Sequence, residues 1–99
     1  MKLGEIAHSR SGDKGDVSNI SAIAYEAKDY QTLVERVTVE RVAEHFGGIA
    51  TGLVRRYELP GIGALNFVLE GALAGGVTRA LRLDAHGKSL SSLMLDLEI

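Results

Sequence analysis

The 99 residues, 45% hydrophobic and 24% charged, have the balance of one small globular domain, and a formal charge of -2 with a pI near 5.9 offers no basic field for nucleic acid. No cysteine is present, which excludes disulfides, thiolate metal sites and a cysteine nucleophile. The N-terminus turns charged at Lys2 and Glu5, and no segment approaches the roughly 20 apolar residues of a membrane span, so a cytoplasmic chain with neither nucleic-acid nor membrane partners is expected.

Residues 3–7 read as a short strand that leads into a polar, glycine-rich stretch, and residues 17–25 (VSNISAIAY) as a second, largely buried strand. Asp29 is placed to cap a helix whose apolar positions Tyr30, Leu33, Val34 and Val37 follow the i, i+3, i+4, i+7 rule. Thr38 restarts the pattern with Val39, Val42, Ala43 and Phe46, and Gly47 and Gly48 end it, which predicts two short helices or one bent helix over 29–46. Residues 52–59 alternate, with Leu53, Arg55, Tyr57 and Leu59 on one face and Val54, Arg56 and Glu58 on the other, until Pro60 closes the strand in a Pro-Gly-Ile-Gly turn. Leu65, Val68, Leu69, Ala72 and Leu73 form the cleanest helical stripe, predicting a helix over 65–74 stopped by Gly75 and Gly76. Residues 78–84 read as a strand, His86 to Lys88 as a turn, and 93–99 as a last strand after a helical turn at 89–92.

This order predicts a single α+β domain over 1–99, a ferredoxin-like sandwich with helices on one face of a four- to five-stranded mixed sheet. A helical crossover of this length makes the strands at 17–25 and 53–59 parallel neighbours if they share a sheet. The other sheet face is then left open for a partner.

The candidate site is the stretch from Ser9 to Asn19, whose Arg10 and Lys14 balance Asp13 and Asp16. If Gly12 and Gly15 take positive φ, backbone N–H groups can form a nest for a carboxylate or phosphate, with Arg10 or Lys14 adding charge and Asn19 orienting the ligand. A satisfied polar turn is the competing reading. Ser9, Ser11 and Asp16 complete this set, while Asn66, Gly75 and Gly76 are further candidates for the same ligand, although Asn66 also suits an ordinary helix cap. The stretch is not a Walker A loop, lacking both the four-residue spacer and the Lys-Ser/Thr pair. Asp13, Asp16 and Asn19 do not have the alternate-residue spacing of an EF-hand, and no metal or cofactor is expected. His8 beside Ser9 and Ser11 does not make a triad, because neighbouring strand residues face opposite ways. His45 suits a helix C-terminus, His86 an exposed turn, and Arg55 either snorkels or meets an anion or carboxylate.

Three segments carry a family resemblance: residues 8–16 (HSRSGDKGD) with Asn19 and Ile20; 56–60 (RYELP) with 64–67 (ALNF); and 75–79 (GGVTR) with 81–84 (LRLD), Gly87 and Lys88. Together they resemble the AtuA-like (acyclic terpene utilisation) small domain over nearly the whole chain. The resemblance implies a ferredoxin-like fold and, here, a stand-alone form that works with a larger AtuA-like subunit in breakdown of acyclic terpenes or related acyl-CoA compounds. It maps the family's glycine-rich motif onto Ser9 to Asp16, and its other segments onto Asn66, Phe67, Gly75 and Gly76. Ala80 departs from a serine often found there, and no catalytic residue carries over. The expectation is an accessory or binding domain that takes an anionic small molecule and forms a homo-oligomer. A small enzyme on a CoA thioester using Asp13, Lys14 and His8, or a purely structural oligomer, are the alternatives.

Overall fold

The computed structural model describes residues 1–14, 17–47, 52–70 and 90–99. Among the described residues five strands form one sheet: β1 (Ala7–His8), β2 (Ser11–Lys14), β3 (Val17–Ala24), β4 (Val54–Leu59) and β5 (Ala64–Glu70). Their order is β1-β3-β5-β4, with β2 following β1 along the same side of β3. Every pairing among the described residues is antiparallel, so the mixed sheet expected from the sequence is not what these strands form.

The largest departure is β5. The predicted helix over 65–74 is instead a strand as far as Glu70, and it lies between β3 and β4. Leu65, Phe67 and Leu69 also satisfy a period of two, and all three are buried. Pairing on both sides decides between the two periods: β5 meets β3 from Ala64 opposite Ile23 to Glu70 opposite Val17, and β4 from Ala64 opposite Leu59 to Leu69 opposite Val54. Asn66 is accordingly a strand residue between Ser21 and Tyr57, not a helix cap. Strands β3 and β4 run parallel but are separated by β5, so they are not neighbours, and the chain between them is the crossover of a split β-α-β unit.

That crossover contains α1 (Tyr30–Arg36) and α2 (Val39–His45). They are separate helices because Thr38 is extended at ψ 162° and caps α2, its Oγ1 accepting the Arg41 N–H at 3.1 Å. Asp29 stands at the N-cap of α1, but its side chain makes no cap bond; a 3-10 turn over Ala27–Asp29 leads into the helix instead. Leu33, Val37, Val42 and Phe46 pack with Ile20, Ala22, Leu65, Phe67 and Leu69 into the core on one face of the sheet.

Both chain ends join this core. Residues 3–7 are not one strand: Leu3–Glu5 is a 3-10 turn, held by the Glu5 carboxylate accepting the Lys2 N–H at 2.8 Å, and only β1 follows. At the other end, the helical turn expected at 89–92 is the start of a longer helix, α3 (Leu90–Leu95), which takes the first three residues of the predicted strand over 93–99, and only a single bridge from Glu98 to Lys2 follows. Met94 and Leu97, three residues apart, are buried together beside Leu3, so a helical period beats the alternating leucines. The Pro-Gly-Ile-Gly turn is as predicted, with a 3-10 turn over Pro60–Ile62 and Gly63 at φ 63°. The predicted strand over 78–84, the turn at 86–88, and Gly48, Gly75 and Gly76 lie outside the described residues.

Candidate functional site

The polar stretch is half of a hairpin. Ser11 pairs with Ile20, Gly12 with Asn19, Asp13 with Ser18 and Lys14 with Val17. Gly12 therefore has ordinary strand backbone; Gly63 is the only described glycine with positive φ. Nor does space require glycine there, since a Cβ would make an ordinary van der Waals contact, 3.6 Å from both polar atoms of the Asn19 side chain. Gly15 and Asp16 lie outside the described residues.

β1 and β2 share one register against β3, Ala7 opposite Ala24 and Ser11 opposite Ile20, and are interrupted only at 9 and 10. The interruption is local. Ser21 Oγ accepts the Arg10 N–H at 3.0 Å and donates to the Arg10 carbonyl at 3.3 Å, taking the place of a strand carbonyl, while the Ser21 N–H still donates to that carbonyl at 2.8 Å.

Alternation along these strands sorts the candidate residues by face. Ser9 and Ser11 take the helix side with Ala22 and Ile20; Ser9 Oγ is buried there without a hydrogen-bond partner. Arg10, Gly12, Asn19 and Asn66 share the opposite, helix-free face. One row runs from Gly12 through Asn19 and Val68 to Arg55, and the next from Arg10 through Ser21 and Asn66 to Tyr57. Asn19 and Asn66 are thus diagonal neighbours, within reach of one small ligand. Asp13 and Lys14 occupy register positions opposite Ser18 and Val17 at the hairpin's end. The structure gathers four of the candidates on one open surface, and places Ser9 and Ser11 away from it.

Arg55 and Tyr57, read from the sequence as sharing one strand face, also lie on that surface. Arg55 meets a carboxylate, with its Nη2 3.5 Å from Glu70 Oε2. Alternation along β5 puts Glu70 on this face after Asn66 and Val68, and a bulge fixes the strand end: Gly52 N–H donates to the Glu70 carbonyl and Glu70 N–H to the Leu53 carbonyl, both at 2.9 Å, so two residues face one. Gly52 is needed for it, because a Cβ would stand 2.5 Å from the Glu70 carbonyl oxygen. Tyr57, 48% exposed, adds an aromatic ring beside Asn66. The signal for both was the alternation of 53–59, which places them on one face.

Two described histidines make contacts elsewhere. His8 stacks on Tyr25 with ring centroids 5.3 Å apart, and His45 Nε2 lies 2.6 Å from the Leu93 carbonyl, tying α2 to α3. Arg56, on the helix side, donates to the Val34 and Val37 carbonyls at 2.9 and 3.0 Å and so closes the C-terminal end of α1. No group of three or more metal-ligating side chains occurs among the described residues, and no described helix is long and apolar enough to cross a membrane.

A small antiparallel sheet with its helices on one face, threaded as a split β-α-β unit, defines a ferredoxin-like α+β domain. The chain belongs to the AtuA ferredoxin-like domain family, which it matches over residues 1–99. No curated protein and no solved structure matches it.

Proposed function

We propose that this chain is an accessory, ligand-binding domain that acts in the cytoplasm with a larger AtuA-like protein in catabolism of acyclic terpenes or related acyl-CoA or organic acids. The helix-free face takes the anionic group of the ligand. The supporting observation is the convergence there of Arg10, Asn19 and Asn66 beside Arg55, with Arg10 unpaired among the described residues. Amide groups that donate, a guanidinium that can fork onto a carboxylate or phosphate, and Tyr57 as an apolar wall form a combination suited to an acid or acyl-CoA head. By sequence the proposed ligand-binding set also includes Asp13, Lys14, Gly15, Asp16, Gly75 and Gly76, and Ser9 and Ser11 support it from the reverse side of the strand. The domain also self-associates.

Calorimetric titration with free coenzyme A, a short branched acyl-CoA and the matching free carboxylate tests the ligand reading. Binding should weaken at least tenfold in Arg10→Ala and in Asn19→Ala, while melting temperatures stay within a few degrees, as for other surface changes. Absence of binding by the wild type, alone and mixed with the larger AtuA-like protein, refutes it. Turnover of the thioester by the isolated chain would instead establish a small enzyme.

A further inference from the structure

Four of the six large apolar residues that stand exposed among the described residues lie along one margin of the sheet, Met1 and Tyr25 being the other two. Leu53, Tyr57 and Leu59 are 56%, 48% and 41% exposed, all on the helix-free side of β4, and Ile62 just beyond is 65% exposed. β4 is also the free edge of the sheet among the described residues, since it pairs only with β5. The Leu53 carbonyl points toward β5, where it accepts from Glu70, so by alternation the N–H and C=O groups of Val54, Arg56 and Glu58 point away from the sheet. An unpaired strand with an apolar flank is a template for another strand, and sheets normally blunt such an edge.

We propose that β4 pairs antiparallel with β4 of a second copy, about a two-fold axis at Tyr57, to make one continuous sheet. The proposal rests on the self-association stated above and names its surface. Charge selects the register. With Tyr57 opposite its own mate, Arg56 lies opposite the partner's Glu58 and Glu58 opposite the partner's Arg56. Within one chain Arg56 Nη2 already lies 3.1 Å from Glu58 Oε2, so the seam becomes a closed ring of four alternating charges. Sliding by one step of the same parity would set Arg56 against Arg56, and like charges directly opposite oppose pairing. The chosen register also puts outward-pointing residues against each other, with Val54 meeting Pro60, which has no N–H and ends the ladder. On the open face Arg55 then covers Leu59 of the other copy, and the two Tyr57 rings meet.

The chain lacks cysteine, which makes a cross-linking test clean. Directly opposed residues at a non-hydrogen-bonded position have Cα atoms about 4.5 Å apart, inside the range a disulfide spans. Tyr57→Cys should give a covalent dimer on mild oxidation. Leu53→Cys should not, because that register separates the two Leu53 sites by roughly 26 Å. In the cysteine-free chain, Glu58→Arg should weaken self-association by about tenfold or more in sedimentation, with its melting curve retained. A wild-type chain that stays monomeric at every concentration refutes both self-association and the edge. A dimer that cross-links at Leu53 but not Tyr57, or that ignores Glu58→Arg, refutes the edge alone, and neither result bears on ligand binding.

Discussion

Replacing Arg56 by methionine keeps the aliphatic stem and removes the guanidinium that closes α1. Two carbonyls, those of Val34 and Val37, lose donors at 2.9 and 3.0 Å. Hydrogen bonds to a charged donor contribute about 1.5–3 kcal/mol each, and the side chain is 19% exposed, so water recovers part of the loss. The expected net destabilisation is about 2–3 kcal/mol, or a fall of about 10–20 °C in Tm for a domain this size. Circular dichroism melts and urea unfolding at constant m-value would measure it. Arg56→Lys should fall between the two, since one ammonium is a compact charge without the fork that spans both carbonyls. A methionine variant within about 0.5 kcal/mol of wild type would refute the capping role and leave the α1 C-terminus dependent on packing alone.

Glycine substitutions should separate three environments in the same assay. Gly61→Ala, where a Cβ meets nothing within 4 Å, should change stability by less than about 0.5 kcal/mol. Gly63→Ala should lose about 1 kcal/mol for its left-handed backbone, and Gly52→Ala about 1–3 kcal/mol, because the added Cβ collides with the Glu70 carbonyl and opens the bulge. Phe67→Ala, at the fully buried centre of β5, should lose about 3–5 kcal/mol; equal stability would mean that the sheet core lies elsewhere.

Elements whose pattern fits only one period were legible from the sequence. The run at 17–25 is β3 nearly to the residue, Thr38 divides the crossover into two helices, and Pro60 ends β4 where expected. Leu65 to Leu69 fit both a helical and an alternating period, and only the strands on either side chose between them. The leucines at 93, 95 and 97 misled for the converse reason, as Met94 is the fully buried member of that segment. The candidate site was legible in residue type but not in geometry. Polarity marked Ser9 to Asn19, yet charged and hydroxyl side chains are as compatible with an edge hairpin as with a loop, and the pairing of Gly12 with Asn19 rests on a register that composition does not encode. Arg56 left a readable trace: a cation alternating with Val54 on the buried side of a strand needs an acceptor, and a helix C-terminus is an abundant source of them.

A sheet with two competent edges can add copies without limit, head to tail, and become a fibre; one with a single competent edge stops at two. On the side opposite β4, the described strands β1 and β2 are short and separated at residues 9 and 10, whereas β4 runs unbroken for six residues. Pairing of β4 with its own mate about a two-fold axis, as proposed, uses up that longer edge in both copies, so the assembly closes on itself at two.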